Sequence, residues 1–401
     1  MVGPLRVLCL DIEGGHGGSS RSLFQMLRHV DRQSVLPEVW CKRQGPVQAA
    51  YAELGIPCRV VPDMPKVSAL PRISRNLYVF ARAGLDFLRC GSFRDELLRE
   101  VNQRFDVVHL NHEALFLLGR WLRLHTAAAM TMHIRTNLWD TPFARWQTRI
   151  ESTAPDRLVF ITDNELRTHI ALGGTGRGVV IHNVVPVPDE LPDPWPGLDV
   201  AGSFCVASLS NCSWGRGTDR LLDVASELRA MGRRDVVFAM AGDMALSKAL
   251  PGVLGETARR GGGLAEAAKS LGLAPWFRFL GHVSEPERVL AGCRALVKPT
   301  REYNPWGRDI LEAMAMGRPV FSVGGDATFV ESGVTGLLQA EFDAPALARE
   351  LVRLADDPAA CEALGQAALE RVARLCHGPS RAAEMVALWQ AACDAKRFRD
   401  Q

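Results

Sequence analysis

Lys298-Pro299-Thr300-Arg301-Glu302-Tyr303-Asn304-Pro305-Trp306-Gly307-Arg308-Asp309-Ile310-Leu311-Glu312-Ala313-Met314-Ala315-Met316-Gly317-Arg318-Pro319-Val320 is the stretch that decides how this 401-residue chain folds. The apolar run 295–298 reads as a strand, the polar stretch with Pro305 and Gly307 as a loop, 308–316 as a helix and 319–323 as the next strand. Strand, loop, helix and strand in so short a span form the repeating unit of a parallel sheet. The helix opens near Arg308, so its free amides and the Arg308 guanidinium would point at an anion. Glu312, one turn further on, can accept hydrogen bonds from hydroxyls.

The same alternation extends in both directions. Upstream in the same half, 204–209, 236–241 and 277–280 read as strands, with helices near 217–230, 246–271 and 285–291. In the front half, 7–11, 36–41, 58–61, 107–110, 127–132, 158–161 and 179–181 read as strands separated by helical patterns. Between the halves, 184–203 carries Pro186, Pro188, Pro192, Pro194 and Pro196 and reads as a linker. The expectation is therefore α/β: an N-terminal domain over 1–190 and a C-terminal one over 191–379. The amphipathic helix 380–397, with Ala382, Met385, Val386, Leu388 and Trp389, is assigned to complete the first domain as part of 380–401. Open α/β sheets bind ligands at the carboxyl ends of their strands, so the functional groups should lie in a cleft where two such edges meet.

Composition narrows the classes. A chain 47% hydrophobic and 23% charged is that of a folded globular protein. Its apolar runs stay short of the roughly 18 residues of a spanning helix. The apolar run before Asp11 is only Val7-Leu8-Cys9-Leu10, too short for a signal-peptide core, so cytoplasmic residence and reduced cysteines are expected. The ten cysteines include no CxxC pair, and HExxH, GxSxG, Asp-x-Asp and GxxxxGK[ST] are all missing. Zinc hydrolysis, dithiol chemistry, an elbow serine and a P-loop lose support, and no metal is expected. A formal charge of +2 with no recognised module argues against nucleic acid.

Other stretches carry chemistry. Glu13-Gly14-Gly15-His16-Gly17-Gly18-Ser19-Ser20 follows the first strand and opens a helix, a place where backbone amides approach a phosphate. Between Arg72 and Arg104 seven arginines interleave with apolar residues, a pattern shared by a helix lying on an anionic leaflet and by an ordinary helix packed on the sheet.

The run Glu312-Ala313-Met314-Ala315-Met316-Gly317-Arg318-Pro319-Val320 resembles the ending of the Glu-x7-Glu signature of family 4 (group 1) glycosyltransferases. Ala241-Gly242-Asp243, Phe279-Leu280-Gly281-His282-Val283, Gly324-Gly325 and Gly333-Val334-Thr335-Gly336-Leu337-Leu338 are similar to further landmarks of that family, in the expected order. The front half matches through Gly17-Gly18, Thr131-Met132-His133 and Val180-Ile181-His182-Asn183.

The resemblance implies a GT-B architecture of two Rossmann-like domains facing across a cleft. It implies retaining transfer of a sugar from a nucleotide-diphosphate sugar, UDP- or GDP-linked, to a glycan, lipid-linked or small-molecule acceptor, in bacterial-type polysaccharide or glycoconjugate synthesis; peripheral contact with the inner face of a membrane would be made through 72–104. Glu312 would take the ribose hydroxyls, Gly307, Arg308 and Asp309 the donor sugar and diphosphate, His282 and Val283 the base, and Gly17 and Gly18 would complete the donor side. His133 would line the donor sugar, and Arg135 and Asn137 would meet the acceptor. The family's usual Arg and Lys for the diphosphate correspond here to Ser208 and Arg216, so Arg216 and Arg308 would supply the cations. The family's first Glu is Asn304, which can hydrogen-bond a sugar but is no carboxylate. These two departures leave open a catalytically silent relative that binds a nucleotide sugar or glycan, and the missing acceptor evidence leaves open an epimerase acting on the nucleotide sugar alone.

Overall fold

The computed structural model describes residues 3–67, 77–198, 200, 202–248 and 250–400. They form two compact units, 1–184 with 376–401, and 185–375. The division falls at Val184, six residues before the border expected from the proline-rich stretch, because the stretch after it is tied to the second unit. There the Trp195 amide donates to Arg288 O (2.9 Å) and the Arg288 guanidinium to Asp193 O (3.1 Å).

The first unit holds β1 (Leu5–Asp11), β2 (Val35–Cys41), β3 (Cys58–Val60), β4 (Val107–Leu110), β5 (Ala129–Ile134), β6 (Arg157–Phe160) and β7 (Gly178–Val180). All pair in parallel in the order β3-β2-β1-β4-β5-β6-β7. Alternation along β1 sorts the core into two layers. Val7 and Cys9 pack with Val39, Val107 and the C-terminal helix residues Met385, Leu388 and Trp389. Leu8 and Leu10 pack on the other face with Phe93, Leu97 and Phe116. The C-terminal helix, Gly378–Asp400, thus covers one face of the first sheet.

The second unit holds β8 (Phe204–Ser208), β9 (Val236–Ala241), β10 (Phe277–Gly281), β11 (Ala295–Lys298), β12 (Val320–Val323) and β13 (Gly336–Gln339), all parallel in the order β10-β9-β8-β11-β12-β13. The short edge strand β13 was not among the expected strands; pairing with β12 gives it its conformation. The single helix expected over 246–271 is instead two, Gly252–Arg259 and Leu264–Ser270. Gly261, Gly262 and Gly263 interrupt it, as three glycines without helix propensity must.

In both sheets the strand order reverses beside the first strand, between β1 and β4 and between β8 and β11. Loops leaving such a pair of strands diverge to opposite faces and open a crevice at the carboxyl edge, where ligands of open α/β sheets bind.

The basic stretch at 72–104 forms two helices where it is described, Leu77–Arg89 and Gly91–Arg104. Phe93, Leu97 and Val101 are core residues. Arg94 stacks on Phe87 and Trp121, and Arg104 pairs with Glu38 and Glu100, so this part packs on the sheet. Leu85 and Leu88 are exposed. Arg72, Ile73 and Arg75, and the side chains of Leu77, Tyr78, Phe80 and Arg82, lie outside the described residues. Among the described residues no helix is long and apolar enough to cross a membrane.

Candidate active site

In the second unit the crevice lies between the loops that follow β8 and β11, and side chains tie these loops to each other. The Arg301 guanidinium binds the Asp219 carboxylate through two bonds of 2.7 Å, and its amide donates to Gly215 O (2.8 Å). Arg220 donates to the Pro299 and Thr300 carbonyls, both at 3.2 Å. Gly217 adopts φ +70°, and a Cβ there would lie 2.0 Å from Pro299 O, so only glycine permits this approach. The rim continues past β9 and β10: Asp243 N donates to Asn211 Oδ1 (2.8 Å), and Gly242 N to Gly281 O (2.7 Å).

On this frame Ser208 ends β8, buried and carrying no cation. Arg216 is exposed on the loop after it. Asn304 closes its own loop, with Oδ1 2.9 Å from the Thr300 hydroxyl and Nδ2 donating to Glu302 (3.3 Å). Gly307 precedes the helix Arg308–Ala315 in extended backbone, and no side chain caps it. Arg308 and Glu312, spaced four residues apart, share one helix face and pair: Nε and Nη2 donate to Oε1 at 3.1 and 2.8 Å. The sequence reading gave these two separate anion and hydroxyl roles; here they form one part-buried ion pair. His282, beyond β10, is exposed, and Val283 is half-buried.

Lys298, which sequence reasoning passed over as the end of a strand, is only 3% exposed. Its Nζ lies 3.2 Å from Asp309 Oδ1 in the first turn of the helix. Burial pulls its basicity below the ordinary lysine value; Asp309 opposes this and Arg216 adds to it.

In the first unit the corresponding crevice is lined by a buried polar network. Asp11, at the end of β1 and fully buried, accepts from Gly14 N (3.0 Å), from the Ser20 hydroxyl and from Asn111 Nδ2 (3.2 Å). It thereby shapes the loop that delivers Gly17 and Gly18 to the uncapped start of the helix Gly18–Leu27. Arg135 follows β5, and its guanidinium donates to Asn111 O (2.7 Å), Asn111 Oδ1 (2.6 Å), Asn183 Oδ1 (3.0 Å) and His133 Nδ1 (3.1 Å). Its amide donates to buried Glu113 (2.9 Å), which also accepts from the Thr136 hydroxyl. The side chain expected to meet an acceptor is thus turned inward, organising its own unit.

Because a guanidinium can only donate, His133 accepts at Nδ1 and carries its proton on Nε2. That Nε2 is buried with no protein partner. Burial, then Arg135, His109 and His112, hold the ring well below the ordinary histidine value, so it is neutral. His109, 5.8 Å away in edge-to-face contact, is pushed down to about 3 by burial and Arg135, and bonds Thr131 Oγ1 at 2.8 Å. Asn137 Oδ1 is likewise buried without a partner. Among the described residues no group of three His, Cys, Asp or Glu side chains is placed to hold a metal ion.

Of the working residues, Asp11, Asn111, Glu113, Asp219, Arg301 and Lys298 were not singled out from sequence. Asp11 alone had a local signal, a carboxylate between a strand and a glycine-rich turn.

Comparison with known proteins agrees with this layout. The sequence model described as Glycosyl transferases group 1 matches 203–357, and that described as Glycosyltransferase Family 4 matches 16–187. The chain is 25% identical to the D-inositol 3-phosphate glycosyltransferase of Kribbella flavida over 89% of its own length and 87% of that protein. It is 32% identical to the alpha-D-kanosaminyltransferase of Streptomyces kanamyceticus, over 36% of this chain and about a third (34%) of that one. Its fold is similar to that of the Anabaena protein HepE, solved with UDP and glucose, at TM-score 0.75 and 18% identity over 96% of this chain and 99% of that one. With two all-parallel Rossmann-like sheets and both halves matched, the chain belongs to the group 1 glycosyltransferases of GT-B architecture.

Proposed function

We propose that the protein transfers a sugar from a nucleotide-diphosphate sugar to a hydroxyl of a glycan, lipid-linked or small-molecule acceptor, with retention at the anomeric carbon and without a metal. The observation that carries this reading is the set of groups gathered at the carboxyl edge of β8 and β11. It combines an uncapped helix N-terminus at Gly307, the Arg308–Glu312 pair one turn apart, and exposed Arg216. An uncapped N-terminus and cations suit a diphosphate, and a carboxylate at the next turn suits a ribose diol. The UDP in the Anabaena neighbour makes uridine the first base to test.

In this reading Glu312 accepts from the ribose hydroxyls, Gly307–Asp309 amides hold the diphosphate, and His282 and Val283 border the base. Asn304 offers its amide to the donor sugar, and Gly17 and Gly18 add amides from the first unit. The C1–O bond to the β-phosphate breaks with its electron pair left on the phosphate oxygen. The acceptor hydroxyl oxygen bonds C1 on the same face, and its proton passes to that phosphate oxygen. Arg216 and Arg308 offset the charge that develops. His133, held neutral with Nε2 protonated, donates to a sugar hydroxyl, Arg135 acts by holding that ring, and Asn137 presents its amide to the acceptor.

Calorimetry with UDP-, GDP- and ADP-sugars tests the assignment. One of them should bind selectively, and Glu312→Ala should weaken it by about 10- to 100-fold, the worth of hydrogen bonds to a charged group. Unchanged affinity in a folded Glu312→Ala protein would refute the ribose assignment, and no binding of any donor would refute the donor site.

A further inference from the structure

We propose that Lys298 is a diphosphate-binding residue, its ammonium under Gly307 taking the β-phosphate of the donor alongside the first-turn amides of the helix Arg308–Ala315. This rests on the donor reading above and adds to it a residue that neither the motif nor the composition marks.

The rest of β11, Ala295, Leu296 and Val297, is apolar and buried, and a cation at the end of such a strand costs stability unless well paired. Lys298 is poorly paired. Among the described residues its one hydrogen-bond acceptor is Asp309 Oδ1, at 3.2 Å. The two neighbouring ion pairs of these loops are closer: Arg301–Asp219 at 2.7 Å and Arg308–Glu312 at 2.8 Å. An ammonium has three N–H donors, so two are left without a protein acceptor in a place that water hardly reaches.

What lies above the ammonium is equally specific. A Cβ built on Gly307 would sit 2.5 Å from Nζ and 2.4 Å from Asp309 Oδ1, so only a residue without a side chain fits over the ammonium at the start of the helix. Gly307 places no capping side chain at the start of the helix. Arg216 is near enough to oppose the charge on Lys298, with Glu302 and Asp309 acting the other way. Ser208, at the end of the adjacent strand, contributes no charge. Two cations and a helix N-terminus therefore converge beside the carboxylates of Glu302 and Asp309, and Asp309 already has a second donor in the Ile310 amide (3.0 Å). A phosphate oxygen supplies the acceptors that Lys298 lacks, and the negative charge left there as the C1–O bond breaks strengthens the contact.

Calorimetric titration of UDP and UMP into the full-length wild type, Lys298→Met and Asp309→Asn tests this. If the wild type prefers another base, that nucleoside diphosphate and its monophosphate are used. Lys298→Met should weaken the diphosphate by about 10- to 100-fold and the monophosphate by less than about threefold. Asp309→Asn keeps the backbone amide used in the donor reading but removes the carboxylate that competes for the ammonium, and should bind the diphosphate more tightly than the wild type. Diphosphate affinity within about twofold of wild type in folded Lys298→Met overturns the proposal. So does a fall in Asp309→Asn comparable to that in Lys298→Met, the mark of a purely structural pair. Should Lys298→Met fail to fold, Asp309→Asn decides: tighter binding supports the role, and unchanged or weaker binding overturns it. A wild type that binds no nucleoside diphosphate refutes the donor reading itself.

Discussion

His109 offers a quantitative test of the buried network in the first unit. It is fully buried on β4, bonded to Thr131 Oγ1, and wedged between His133 and Trp389, with ring centroids 5.8 Å from each. Burial, reinforced by Arg135, pushes its pKa down to about 3, against about 6.5 in an unfolded chain. The folded pKa is the lower one, so the neutral ring contributes stability that is complete above pH ~6.5 and is lost as the pH falls towards about 3. At pH 5 the unfolded chain takes up a proton that the folded unit refuses, a cost of about 2 kcal/mol at ~1.4 kcal/mol per pH unit. His109→Phe removes this term. It also leaves the buried Thr131 hydroxyl unpaired, which costs about 1–3 kcal/mol at every pH. The variant should therefore be less stable than wild type at pH 7, and the gap should narrow by about 2 kcal/mol at pH 5. Titrations of other groups, among them Glu151 and Asp156, whose carboxyls burial pushes up, are common to both proteins and cancel in the difference. Urea unfolding at the two pH values measures the gap, using the transition that the substitution moves and requiring equal m-values. A gap that stays constant within about 0.5 kcal/mol would refute the claim that the ring is held neutral.

Arg135→Gln should raise the titration midpoint of His133, because the neighbouring cation helps to hold it down; imidazole NMR reads this, and an unmoved or lowered midpoint contradicts the proposed hold on the ring. Gly217→Ala places a Cβ 2.0 Å from Pro299 O at φ +70° and should part the two loops of the second unit, lowering nucleotide affinity by about tenfold or more with circular dichroism unchanged. Wild-type affinity in that variant would show that the lacing of these loops is not needed for binding.

The fold was legible because two one-dimensional signals repeat. Short apolar runs bounded by glycine and polar residues gave twelve of the thirteen strands among the described residues, and the helical patterns between them required parallel pairing. The exception, β13, is four residues long and takes its conformation from β12. The helix expected over 246–271 failed at Gly261–Gly263, where helical periodicity outweighed three adjacent glycines in the reading.

The candidate site was legible only where its residues are neighbours in the chain. Gly307, Arg308 and Glu312 lie on one loop and helix, so their shared direction follows from helix geometry. That Arg308 and Glu312 pair with each other, instead of standing apart, depends on the rotamers that packing selects. Asp11 and Asn111, 100 residues apart, and Asp219 and Arg301, 82 apart, meet because the sheet order brings β1 to β4 and β8 to β11. Arg135 and Lys298 show the same limit. From sequence one is a charged loop residue and the other the end of a strand. The tertiary structure turns the first inward onto His133 and buries the second beneath Gly307. Sequence alone determined the element order, the parallel sheets and the family, because these follow from local propensity and spacing. Which charges are buried, paired or left short of partners was decided only by packing, because desolvation and hydrogen bonding depend on residues far away in the chain.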